Sequence, residues 1–160
     1  MSIADDPAWR SAHELRRAAG RWLDQLVVDA DEVRERRDSS RASIERVCRI
    51  AWSPRPTHGD FVPANVLMHE GRVEVLLDVT GLALRHPEVD LAWWELIVRF
   101  HHPDDAGRLV RSLRHGYGAN DGGIDERLRY LAAVRALQLA AAAGRATRSH
   151  AVALLSSAIG

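Results

Sequence analysis

From Glu88 to about His101 the chain carries Val89, Leu91, Ala92, Trp93, Trp94, Leu96, Ile97, Val98 and Phe100, apolar on nearly every side of a helix. A surface helix keeps one polar face for solvent, whereas a helix that is hydrophobic all round must be enclosed by other elements. A chain of 160 residues has room for one such helix at its centre. The other segments have to be arranged around it, and their periodicities say how.

Helical spacing dominates. Trp9, Ala12, Leu15, Ala19, Trp22, Leu23 and Leu26 recur at the helical period, and Asp5-Asp6-Pro7 offers an acidic N-cap with proline at the first helical position. A helix is therefore expected over 7–28. Asp31 is expected to cap a second helix, charged in its early turns (Glu32 to Asp38) and docked through Ile44, Val47, Cys48 and Ala51. Pro54 and Pro56 stop it and force extended backbone. Beyond the central helix, further helices are expected from Pro103-Asp104-Asp105 to about Gly116, from Asp125 to about Ala143 and from about Thr147 to Ile159. Only one stretch reads as β. Val66-Leu67-Met68 and Val73 to Leu77 flank a glycine-containing turn at His69 to Arg72, a hairpin signal. Residues 79–87, with Gly81 and Pro87, are expected to be loop. The fold class is thus mainly α (α+β): six helical stretches around one small β-hairpin, a single unit over 1–160.

Charge narrows the partners. Basic and acidic residues number 22 each, so no net field favours nucleic acid or an anionic membrane. No apolar run approaches the roughly 18 residues of a membrane span, and the N-terminal stretch is too charged for a signal peptide. The expected location is cytoplasmic. Cys48, the one cysteine, reads as a small buried hydrophobe. All 22 basic residues are arginine, so no mechanism can draw a lysine from these residues.

The chemistry lies in His58-x-Asp60-x4-Asn65, followed by the hairpin and then by Asp78 at its exit. Protein kinases place a catalytic Asp, a metal-binding Asn and a second metal-binding Asp in this order and at similar spacing. Phosphoryl transfer to a hydroxyl needs a carboxylate to accept or orient the hydroxyl proton, and oxygen ligands for magnesium. Pro63 restricts the loop between Asp60 and Asn65, and the hairpin folds the chain back so that Asp78 can return to Asn65. On this reading Asp60 is the base, and Asn65 and Asp78 are magnesium ligands. Taken singly, Asp78 could be a turn former and Asp90 a helix cap. Trp93 and Trp94 read as core anchors, and His101-His102 as solvated residues at a helix end. The Gly116–Gly123 loop lacks the Gly-Lys-Ser/Thr of a phosphate-binding loop.

His58-Gly59-Asp60, Asn65, Leu77-Asp78 and His86-Pro87-Glu88-Val89-Asp90-Leu91-Ala92 together resemble the C-terminal lobe of the aminoglycoside phosphotransferase and choline kinase-like family. The resemblance runs over nearly the whole chain, helix order included. It implies ATP and Mg2+ as cofactors and a small-molecule hydroxyl as acceptor. Asp60 would be the catalytic base, Asn65 and Asp78 the metal and cofactor ligands, Asp90 a brace of the catalytic loop and His58 a structural residue of that loop. Asp121, Asp125 and Glu126 leave a cationic acceptor open. Val79 follows Asp78 where the family usually has an aromatic. The family also has an N-terminal β-lobe with a phosphate-holding lysine, and the segment before His58 is too short and too helical to be that lobe. The expectation is a C-terminal lobe only, with three readings open. It is a phosphotransferase working with a partner subunit or a second copy on its bare lobe face, an inactive remnant, or a binding module without chemistry.

Overall fold

The all-round apolar run is the buried centre of the structure. A computed structural model describes residues 4–5, 7–29, 31–50, 53–118, 123–143 and 145–159. The central helix, α4 (Val89–His101), buries Val89, Leu91, Ala92, Trp93, Trp94, Leu96 and Val98. Around it lie α1 (Ala12–Asp29), α2 (Asp31–Glu35), α3 (Arg37–Val47), α5 (Ala106–Tyr117), α6 (Ile124–Ala142) and α7 (Arg145–Ile159), a mainly α fold as expected. The longest of them, α6, packs against α1, α3, α4 and α7. One apolar cluster joins Trp9, Leu15, Leu23, Leu26, Val47, Leu91, Trp93, Leu131, Leu137 and Leu155. Each fully buried leucine of that set contributes about 2 kcal/mol of transfer free energy. A smaller cluster of Trp94, Val98, Ala106 and Val110 seats α5 on α4.

Two helix boundaries differ from expectation. The first helix begins at Ala12, not at Pro7, which starts a short 3-10 turn through Trp9. Ser11 is the reason: its Oγ accepts the Glu14 backbone N–H at 3.2 Å, and this Ser-x-x-Glu cap decides the start. The expected second helix is two, because Arg36 leaves helical geometry at φ −103°, ψ 15° between α2 and α3.

The described residues also hold more strand than one hairpin. The hairpin itself is β3 (Val66–His69) with β4 (Arg72–Leu76), pairing Val66 with Leu76 and His69 with Arg72, with a bulge past Leu67. Glu70 and Gly71 both have positive φ (49° and 76°), as a tight two-residue hairpin turn requires. The correction is β5 (Ala83–Arg85), expected as loop. It pairs with β2 (Arg55–Thr57) antiparallel, Thr57 opposite Ala83, and with β1 (Ala4–Asp5) parallel. Pro56 is tolerated because β2 is an edge of the order β1-β5-β2. Strands of two or three residues are too short to show an alternation. No described helix is long and apolar enough to cross a membrane.

Candidate active site

The loop from His58 to Asp60 leaves β2 and is tied down from three directions. Asp90, in the first turn of α4, accepts the backbone N–H of His58 at 2.6 Å and that of Gly59 at 2.9 Å. Two charge-assisted bonds from adjacent amides fix a loop more firmly than neutral ones would. The His58 ring donates Nε2–H to the Leu77 carbonyl at 2.8 Å, linking the loop to the exit of β4. Its Nδ1 is buried with no partner among the described residues. From the opposite side, buried Arg135 of α6 donates to the Gly59 carbonyl at 2.5 Å. Arg135 also donates to Gln138 Oε1 at 2.7 Å, which accepts the Trp9 indole N–H at 3.0 Å. A polar chain therefore runs from the N-terminal turn to the loop.

Gly59 has to be glycine. Its φ is +85°, and a Cβ there would stand 2.3 Å from the Gly81 carbonyl oxygen. The loop at 58–60 and the 3-10 turn Val79–Gly81 thus meet backbone to backbone. Arg85, buried on β5, donates to the same Gly81 carbonyl at 2.9 Å and to Thr57 Oγ1 at 3.2 Å.

The carboxylate of Asp60 is oriented by two donors. Trp93 Nε1–H reaches Oδ1 at 3.2 Å, and Asn65 Nδ2–H reaches Oδ2 at 3.1 Å and the Asp60 carbonyl at 2.9 Å. Trp93 thus serves the core and the site together. Asn65 ends a 3-10 turn, Pro63–Asn65, that Pro63 opens with its fixed φ. The Asn65 carbonyl accepts the Leu77 N–H at 2.8 Å. Leu77 is therefore held at both its N–H and its carbonyl, by Asn65 and by His58, and Asp78 is the next residue. Asp78 is exposed and left-handed (φ 51°, ψ 60°), with its Oδ1 accepting Thr80 Oγ1–H at 2.5 Å. So Asp60 and Asn65 are in direct contact, and Asp78 is tethered one residue away.

The donor set suits a hard divalent cation. Asn65 spends its amide N–H groups on Asp60, so the end left for another partner is Oδ1, and Asp78 keeps Oδ2 free of bonds from the described residues. Magnesium needs only one or two such protein oxygens when phosphates and water complete its shell. Among the described residues no three His, Cys, Asp or Glu side chains converge as a self-sufficient metal cage. Beside the loop lies an open, mostly apolar cavity of about 530 Å³. His58, Phe61, Val79, Leu113 and Tyr117 line it. Burial, reinforced by Asp90 and Glu88, pushes the Tyr117 phenol upward.

Sequence reasoning missed Arg135, Gly81 and Arg85. Arg135 did leave a signal, a lone charge inside the apolar run Leu131 to Leu137. Of the acidic residues considered for a cationic acceptor, Asp125 pairs with Arg114 at 2.6 Å and Glu126 accepts the Tyr130 hydroxyl at 2.8 Å. Asp121 lies outside the described residues. A model of the phosphotransferase enzyme family matches residues 2–137. No curated protein and no solved structure matches the chain.

Proposed function

The chain belongs to the phosphotransferase enzyme family, and from that premise we propose that it takes part in moving a phosphoryl group from ATP to a hydroxyl of a small molecule. The observation that carries the reading is the Asp60 carboxylate, held between Trp93 Nε1 and Asn65 Nδ2 on a loop anchored by Asp90 and Arg135. A carboxylate so fixed is prepared to accept or orient the acceptor's hydroxyl proton, which is most of what a protein side chain supplies to this reaction. Asn65 Oδ1 and Asp78 Oδ2 would hold magnesium. When bound, that ion neutralises phosphate charge and fixes the phosphates. The mostly apolar cavity beside His58 and Tyr117 offers space for an acceptor.

A second reading, a binding module with little turnover, is favoured by composition. No lysine occurs in these 160 residues to pair with the α- and β-phosphates. Loss of such a pairing costs roughly 3–4 kcal/mol in transition-state stabilisation where one preorganised donor is removed. Calorimetric titration with ATP and magnesium separates the outcomes. Wild type is expected to bind weakly and Asp78→Ala not at all; no binding by wild type would end the phosphotransferase reading. Given binding, phosphorylation of aminoglycosides, choline or amino alcohols that Asp60→Ala abolishes would exclude the binding-module reading.

A further inference from the structure

We propose that the cavity enclosed by α4, α5, α6 and α7 is a binding site for a small amphipathic anion, an apolar body carrying one carboxylate or phosphate group. The helical period puts Asp90 and Trp93 on one side of α4 and Ala92, Glu95 and Arg99 on the other, so this cavity faces away from the Asp60 loop. It stands independently of any phosphoryl transfer.

The cavity measures about 470 Å³, within the roughly 300–1,000 Å³ typical of small-molecule sites. It exists because three helices each meet it with an alanine, Ala92, Ala132 and Ala158, beside Leu96 and Leu128. Those side chains make an apolar floor. The polar wall is a buried ion pair. Glu95, only 5% exposed, takes two bonds from Arg114 at 2.5 and 2.8 Å, and Arg114 reaches Asp125 at 2.6 Å. These contacts fix the Arg114 guanidinium in place and push its pKa further up, Glu95 first.

Charge counting decides the ligand's sign. Three guanidinia (Arg99, Arg114, Arg129) face two carboxylates (Glu95, Asp125), and Arg114 already occupies both carboxylates. Arg99 pairs with Glu95 at 3.6 Å, and Arg129 makes no ion pair among the described residues; its Nη2 donates a long bond to the Tyr130 hydroxyl at 3.5 Å, with the guanidinium 5.2 Å from the centre of that ring. Arg99 and Arg129, both lining an apolar hollow and neither balanced by a carboxylate of its own, suit a carboxylate or phosphate on a greasy tail. A cationic ligand would meet the surplus positive charge and find both carboxylates taken.

The test uses hexanoate, hexyl phosphate and hexylammonium as probes, followed by calorimetry and by thermal melting of the whole chain. At least one anionic probe is expected to bind saturably and raise the melting temperature, and hexylammonium to do neither; the tighter anion identifies the headgroup. Arg129→Glu should weaken that anion about tenfold or more. Ser157→Phe, at an exposed position on the rim, should abolish binding while melting like wild type. The proposal fails if neither anion binds, if hexylammonium binds as well, or if both variants fold and keep wild-type affinity.

Discussion

The two carboxylates of the candidate site stand on opposite kinds of ground. Asp60 belongs to the helical side: its loop is gripped by Asp90 of α4 and Arg135 of α6, and its oxygens by Trp93 and Asn65. Asp78 belongs to the hairpin side. It is exposed, strained into a left-handed conformation and, among the described residues, its side chain is steadied by Thr80. The strands leading to it share that exposure. Leu67, Met68, Val73, Val75 and Leu76 all lie open, Met68 and Val73 at 58% each. A two-stranded hairpin is marginal in water without a packed face. The helical side is therefore completed by this chain's own burial, and the hairpin side draws its order from a few backbone tethers. Position and energy separate here: two groups at one site differ in how much of the fold stands behind them.

The sharpest way to break that contrast is Gly59→Ala. The positive φ costs about 1–2 kcal/mol, and the clash with the Gly81 carbonyl adds to it, so a loss of at least about 3 kcal/mol is expected in urea unfolding. A loss under about 1 kcal/mol would mean the two loops separate freely. Next comes a pair. Leu131→Ala in the core should cost about 3 kcal/mol, whereas Val73→Thr on the hairpin should stay within about 0.5 kcal/mol. Equal losses would erase the distinction. Arg135→Met tests the tether itself: it leaves the buried Gly59 carbonyl without its donor, an expected cost of about 2 kcal/mol, and Arg135→Lys should recover part of it. On the other side, Glu70→Asn should stabilise the hairpin by about 0.5 kcal/mol, because asparagine accepts the positive φ at the turn better than glutamate does. Protection of the β3–β4 amides from hydrogen exchange would report that gain. The smallest effect is at Cys48, where burial pushes the thiol's pKa above the ordinary 9.0. A folded pKa above the unfolded one means stability is full below the unfolded value and declines as pH climbs through the folded one. Wild type should therefore lose slightly more stability than Cys48→Ala as pH rises past 9.0.

The same division governs what could be read from the residues. The burial of α4 was legible because an all-round apolar run has no other stable placement. The hairpin was legible from two β-rich runs about a glycine, and the closeness of Asp60 and Asn65 from a short loop stiffened by Pro63. What escaped depends on contacts between distant segments. Whether Pro7 or Ser11 starts the first helix is a competition between two local signals. β5 takes its strand form from distant partners, Thr57 opposite Ala83 on one side and Ala4–Asp5 on the other, and Gly81 gains its importance where Gly59 comes to meet it. Neither glycine announces that meeting in its own neighbourhood.

The bond from Arg135 to Gly59 also sets an order in time. The two residues are 76 positions apart, so the loop bearing Asp60 waits for that much more chain to be synthesised before the last of its three anchors exists. At roughly 5–20 residues per second the wait is on the order of 4 to 15 s. A nascent chain paused between α5 and α6 would carry every residue of the His58–Asp78 stretch, and Asp90 as well, while still lacking the cation that holds the Gly59 carbonyl.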